Sequence, residues 1–393
     1  MNDRKPHLAP LVLATVASQA LLVVLAPTMV AIARDMGGST AVVGQARAIT
    51  AAAAIVAAIV AALREPAPSV RRLLELGGVL AVAGCAAVAT SPSLPPFLLA
   101  HAFVGSGLAL LLSGAFAGVA AFPASRRTWA LGHVTAGNAL AWIVVNPPAG
   151  ALAERASWRA AQAVPAALAL AALLASRRAS DVPGEPERGG FERLRNAPSA
   201  RRWVAAEALA YAAWAALLTF AGAFFVERLL VGEQSAAWLL AAGAAMFFLT
   251  ASRGSALRAA IPRRGLLAGS ALAMSALLLA QVRTTGSPAL AALLFGLTCA
   301  MAGMRGPASS ALGLAQLPEH PGTIMAARTA ATQLGYLTGG VVGGAVIAAA
   351  GYQALAVVLS AGMAASAVLM LGVHDPLETE SRAPPLARPA PST

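Results

Sequence analysis

Apolar blocks of about twenty residues follow one another along the whole chain, separated by short stretches that carry most of the arginines. A block of that length is what an α-helix needs to cross the ~30 Å hydrocarbon core of a bilayer. Helices suit that medium because they satisfy their own backbone hydrogen bonds within one segment. The pattern predicts an all-α polytopic membrane protein. Composition agrees: 58% of the 393 residues are hydrophobic and 11% are charged, whereas a soluble domain carries about a quarter charged residues. Disorder throughout is excluded by the same numbers. Twelve spans are expected, at 9–33, 42–63, 73–90, 96–121, 129–152 and 159–176, then 203–226, 236–256, 265–283, 288–311, 323–349 and 353–373. Prolines mark 96–121 and 129–152 as spans that can bend.

The charged residues set the orientation. With the N-terminus on the cytoplasmic side, twenty of the 28 basic residues fall on inner segments and five on outer ones. The remaining three, Arg47, Arg305 and Arg328, lie inside spans. Cytoplasmic loops carry the excess of Lys and Arg, so both termini are expected in the cytoplasm, with the protein in the inner membrane. The net charge of +12 then reflects topology and contact with anionic lipid rather than nucleic acid, since no basic stripe with interleaved aromatics occurs. Cys85 and Cys299 both sit in apolar runs, so neither a disulfide framework nor a metal cluster is expected. The absence of a GxxxxGK[ST] loop gives no sign of ATP as energy source. No paired acids or triad point to an enzyme, and no cofactor is implied.

Residues 177–202 are polar, Gly- and Pro-containing and carry seven arginines; they read as a flexible cytoplasmic linker. The chain thus divides into a six-helix half (1–176), the linker, a second half (203–374) and a disordered tail (375–393). An internal repeat supports the halves. A shift of 194 residues takes Trp142 to Tyr336, Gly150 to Gly344, Trp158 to Tyr352, Arg34 to Arg228 and Arg64 to Arg258.

Several local segments resemble the major facilitator superfamily, in particular its drug/proton antiporter and sugar-efflux members. The first span, LeuAlaProThrMetValAlaIleAlaArgAspMetGlyGlySer, resembles the family's first helix, with Pro27 and Asp35 in place. Leu63, Glu65, Arg71 and Arg72 are what is left of the loop motif between the second and third helices. His101 stands where the family often has Arg. AsnProProAlaGly at 146–150 resembles the antiporter motif of the fifth helix, and Trp158-Arg159 the opening of the sixth. Residues 326–335 resemble the eleventh helix of efflux members. The resemblance implies a secondary transporter with two halves that rock around a central site. It implies a small-molecule substrate, protons as coupling ion, and a protein acting as a monomer in lipid.

Physical reasoning about single residues adds candidates. Pro147 and Pro148 remove backbone donors mid-span, and Gly150 lets another helix approach; the segment with Asn146 reads as a packing kink or as a hinge. Gly339, Gly340, Gly343 and Gly344 give the repeat partner the same smooth face. Trp129, Trp158, Trp203 and Trp238 lie at span ends and are expected as interfacial anchors. Trp142 and Trp214 lie mid-span, where an indole N–H needs a partner that lipid does not offer; with Tyr211 and Tyr336 they read as core or as cavity wall. Gln19, Asn138 and Gln333 are mid-span amides that read as interhelical hydrogen bonds or as polar cavity candidates, the latter because the resemblance implies that helices one and eleven line the pathway. Ionisable groups inside a membrane are rare and usually functional. Glu207 is the best-placed carboxylate, either carrying protons or reaching back to the interface. The helix order that the resemblance implies would let Arg305 pair with it near the cytoplasmic end; alternatively Arg305, Arg328 or Arg47 could bind an anionic substrate. Asp35, Glu154 and Glu227 read as salt bridges or gate contacts at the outer ends. The expected activity is proton-coupled export of a small, partly apolar solute; the alternative is import or facilitated passage of a sugar or organic anion.

Overall fold

The computed structural model describes residues 6–64, 68–180, 190–253, 261–283 and 287–376. Every regular element among them is helical. The first half comprises α1 (Ala9–Val23), α2 (Leu25–Asp35), α3 (Thr40–Val43), α4 (Gln45–Leu63), α5 (Val70–Thr90), α6 (Leu94–Ala117), α7 (Ala124–Arg155), α8 (Trp158–Ala161) and α9 (Ala163–Ser176). The short α10 (Gly190–Asn196) leads into α11 (Pro198–Leu229), α12 (Glu233–Arg253), α13 (Arg263–Arg283), α14 (Pro288–Gln316) and α15 (Pro321–Leu371).

Ten helical stretches among the described residues are long and apolar enough to cross a membrane. Two observations bring these to twelve spans. The 32-residue α7 has the length but is too polar to count by composition, since Arg126, Arg127, Asn138, Asn146 and two prolines lie along it. The 51-residue α15 would be about 75 Å long at 1.5 Å per residue, more than twice the bilayer core. It is broken at Gly351, whose φ of 74° and ψ of −173° are not helical. A backbone at that angle suits glycine because a side chain would clash. Gly351 therefore divides α15 into an eleventh and a twelfth span, much as the break around Ser157 separates α7 from α8. The 194-residue offset carries the bounds of the first six spans onto the last six to within five residues.

The expected spans are all present, most of them longer than the apolar blocks alone suggest. Helices start and end in polar residues that the hydropathy pattern leaves out, as in Pro198–Leu229 against the expected 203–226. Pro95 and Pro96 do not bend α6, because they occupy its first turn, where no intrahelical donor is lost. The linker reading also needs correcting. Residues 190–196 are helical and 198–202 already belong to α11, while Gly190 packs against Thr323. At the other end, Asp375 is 3% exposed and ion-paired with Arg263, so the packed structure extends past residue 374.

Without water between them, membrane helices associate through close packing, which small residues allow. A methyl group at Gly77 would lie 2.7 Å from the Leu111 backbone nitrogen, and one at Gly107 2.6 Å from that of Ala81, so α5 and α6 touch backbone to backbone. The same device joins the halves at the end away from the termini. Gly222 of α11 meets the Ala26 carbonyl of α2, Gly150 of α7 meets Ala237 of α12, and Gly340 of α15 meets Ala48 of α4. Of the four candidate glycines at 339–344 of α15, Gly340 and Gly344 face the other half. Gly339 and Gly343 instead face Ala212, Ala216 and Phe220 of α11, in their own half.

Candidate functional site

Below these contacts, toward the side of the termini, the halves enclose a cavity of about 250 Å³. Gln19, Asn138, Trp142, Tyr211, Trp214, Gln333 and Tyr336 all line it, together with Glu207, Arg305 and Arg328. Helical spacing explains part of this. Glu207, Tyr211, Trp214 and Leu218 recur at three- and four-residue steps along α11 and so share one face. Arg328, Thr332 and Tyr336 do the same on α15.

Glu207 is 1% exposed and does not reach back to the interface. Its carboxylate lies between two guanidinium groups. Arg305 Nη2 donates to Oε1, and Arg328 Nε lies 3.7 Å from Oε2. Each cation has a second contact. Ser366 Oγ is 3.5 Å from Arg305 Nη2 and itself donates to the Ala206 carbonyl at 2.7 Å. Arg328 Nη2 donates to the Tyr211 hydroxyl at 2.8 Å, with its guanidinium 5.6 Å from the centre of the Tyr211 ring. Two cations thus share one anion, and the buried Arg305 Nη1 makes no hydrogen bond among the described residues. Glu207 is the single acidic residue among the described cavity-lining residues.

The rest of the wall is mostly apolar. Trp214 stacks on Phe247 with ring centres 6.3 Å apart, and Trp142, Phe116, Phe295 and Met363 complete it. Phe247 and Ser366 carry no signal in the sequence, where a Phe in an apolar run or a lone Ser in the last span is unremarkable. The amide oxygen of Asn138 is buried without a partner.

Other candidates lie elsewhere. Asn146 is fully buried outside the cavity and donates to the Trp142 carbonyl at 2.7 Å. The following Pro147 and Pro148 leave the Ile143 and Val144 carbonyls without their usual donors. Arg47 lies at the contact of α4 with α15, off the cavity wall. Arg71 pairs with Glu75 one turn on, at 2.7 Å and exposed; Arg72 is exposed beside it, and Glu65 lies outside the described residues.

At the far ends, Asp35 accepts from Trp158 Nε1 at 3.0 Å and pairs with Arg159 at 2.5 Å. Glu154 Oε2 accepts from the Gln234 backbone N–H at 2.8 Å, and Glu227 from the Tyr352 hydroxyl at 2.7 Å and Thr40 at 3.5 Å. The Glu154 and Glu227 contacts with Gln234 and Thr40 cross between the halves. The interfacial expectation fails for two tryptophans: Trp158 is 2% exposed and holds Asp35, and Trp203 is wholly buried under Gly313. Trp129 and Trp238 are exposed.

A bundle of twelve spans in two related halves, with a mixed polar and apolar cavity between them, defines a polytopic membrane transporter. The sequence matches the Major Facilitator Superfamily over residues 11–312, and the chain belongs to that family. Its fold is similar to a D-xylose–proton symporter, with a TM-score of 0.76 and 15% identity over 93% of this chain and 97% of the other. A bacterial homologue of the human lysosomal transporter Spinster, solved inward-facing and occupied, gives 0.69 and 16% over 93% and 94%. A mutant of the peptide transporter POT gives 0.73 and 12% over 93% of each. No curated protein sequence matches the chain.

Proposed function

We propose that this transporter is a proton-coupled secondary carrier that exports a small, partly apolar solute by alternating access. Its two termini lie in the cytoplasm, and it works as a monomer in the inner membrane. The observation that carries this reading is Glu207, a buried carboxylate on the wall of the central cavity. Ionised, it offers an acceptor to a solute held against Trp142, Trp214 and Phe247. Once it is protonated, one of its oxygens becomes a donor and its charge attraction for Arg305 is lost. Proton and solute then occupy the site in turn, which is what exchange requires, and the halves rock between the two loadings. The fold neighbours include a D-xylose–proton symporter and the peptide transporter POT, and the Spinster homologue was solved inward-facing; with cytoplasmic termini the glycine contacts here close the outer end, as an inward-facing carrier requires. The close contacts at Gly150, Gly340 and Gly344 would serve as the seal on the outer side, with Asn146, Pro147 and Pro148 letting α7 flex.

One observation favours a second reading. Two guanidiniums face one carboxylate, and Arg305 Nη1 lacks a hydrogen-bond partner. An organic anion would satisfy that donor and would travel with a proton on Glu207, in the importing direction. A metabolite screen of a deletion strain identifies the solute, and flux into proteoliposomes under an imposed pH gradient then separates the readings. Exchange is driven when solute and proton gradients oppose each other, and co-transport when they run together. Flux indifferent to the gradient, or coupling retained by Glu207→Gln, contradicts proton coupling through this residue.

A further inference from the structure

Of the three arginines inside spans, Arg47 is the one that does not line the cavity. It is 1% exposed, and its Nε, Nη1 and Nη2 atoms make no hydrogen bond among the described residues. Among the described residues it stacks against Tyr336, whose ring centre lies 5.4 Å from the guanidinium carbon. The polar side chains beside it make their contacts elsewhere. Gln45 Nε2 donates to the Gly340 carbonyl at 3.2 Å, and the His101 ring nitrogen Nδ1 is 2.8 Å from the Phe97 carbonyl. A guanidinium keeps its charge and its five N–H donors under any ordinary condition. Burying it in a membrane bundle without an anion is costly, and a ring face recovers only part of that cost. Such a group is retained where another state of the protein satisfies it.

The neighbouring packing identifies that state. Arg47 is on α4 in the first half and Tyr336 is on α15 in the second. A methyl group at Gly340 would lie 3.0 Å from the Ala48 backbone nitrogen, so no ligand fits between the helices while they touch. Arg47 can be uncovered only when α4 and α15 part. Tyr336 also lines the central cavity, so donors uncovered beside it face the solute pathway.

We propose that Arg47 is an anion-binding residue of the state open on the side away from the termini, taking a carboxylate of the solute through paired N–H bonds, with Tyr336 as its cover in the present state. The proposal rests on the alternating-access reading above. It gives the pathway a cation at each end: Arg305 with Arg328 toward the termini, and Arg47 on the far side.

The test uses purified full-length protein carrying Gly340→Trp, whose side chain cannot sit against the Ala48 backbone and holds the two helices apart. Gly344→Trp, next to the Ala41 carbonyl, is the replacement if the first variant does not fold. Arg47→Cys, with Cys85 and Cys299 changed to Ser, is treated in proteoliposomes with a membrane-impermeant thiosulfonate. Labelling from the far side should rise at least ten-fold in the Trp background. No rise means that α4 and α15 do not part, which overturns the alternating-access reading and the proposal with it. Benzoate and its neutral counterpart benzyl alcohol are then compared by equilibrium binding. Benzoate should bind the Trp variant at least ten-fold more tightly than the same variant with Arg47→Gln, and benzyl alcohol should not distinguish them. Labelling without that difference in benzoate affinity overturns the role of Arg47 and leaves alternating access standing.

Discussion

Arg305 and Arg47 are both guanidiniums almost wholly buried in a membrane bundle, 6% and 1% exposed, yet their surroundings are opposite. Arg305 has Glu207, Ser366 and the neighbouring Arg328, all on α11, α14 and α15 of the second half. Arg47 has a ring face, and that ring belongs to the other half. A cluster built within one half moves as a unit when the halves rock; only a proton or a solute can change it. A contact built across the halves changes whenever they move. The first arrangement suits chemical coupling and the second suits sensing of conformation.

The largest effect is expected from breaking the within-half cluster. Glu207→Ala leaves two buried cations uncompensated, a change that costs about 3–5 kcal/mol in a buried pair. Transport should fall by about two orders of magnitude, measured as solute flux at matched protein levels. Exchanging the charges, with Glu207→Arg and Arg305→Glu together, should restore flux well above either single variant; no recovery would show that the pair is not the functional unit. Next in size is Arg47→Leu. Removing an unpaired buried charge should raise the thermal midpoint while slowing turnover, because the state with the far side closed gains stability. A lowered midpoint would mean that Arg47 has partners in that state and is not its cost.

Trp214→Ala tests the apolar wall beside the charged cluster. Loss of one aromatic contact, about 1 kcal/mol, corresponds to roughly a five-fold rise in KM with kcat little changed. A drop in kcat alone would place Trp214 in the conformational step. The smallest effect on flux belongs to Tyr352→Phe, which removes a hydrogen bond to the Glu227 carboxylate, about 1.5–3 kcal/mol for a charged acceptor, at the outer end away from the cavity. Flux should change by less than about two-fold, since Thr40 still reaches Glu227 across the halves.

How much of this was legible in the sequence follows from what each feature depends on. Block length and the positions of arginines give spans and repeat, because every span must meet the same bilayer. The gap expected between 323–349 and 353–373 contains Gly351, where the helix breaks. The seven polar and aromatic cavity candidates also line the cavity, because each is too polar for lipid and so turns inward. Contacts between distant helices are less legible. Trp158 and Trp203 look like interfacial anchors by position, but one is drawn inward by Asp35 and the other by the space that Gly313 leaves. Asp375 looks like part of a polar tail until Arg263, 112 residues earlier, pairs with it. Ser366 and Phe247 are ordinary residues whose role comes from what faces them. That Arg47 lacks a partner is a statement about everything around it, which no local pattern contains.

The claim on which these inferences depend is that the glycine-lined contact of α4 with α15 opens and closes during transport. A methyl group at Gly340 would lie 3.2 Å from the Ala48 Cβ, close to the ~3.8 Å at which disulfides join. With Cys85 and Cys299 replaced by Ser, Ala48→Cys with Gly340→Cys should cross-link under oxidation. Solute flux in proteoliposomes should then stop and return when a reductant is added. Undiminished flux through the cross-linked protein would contradict the account.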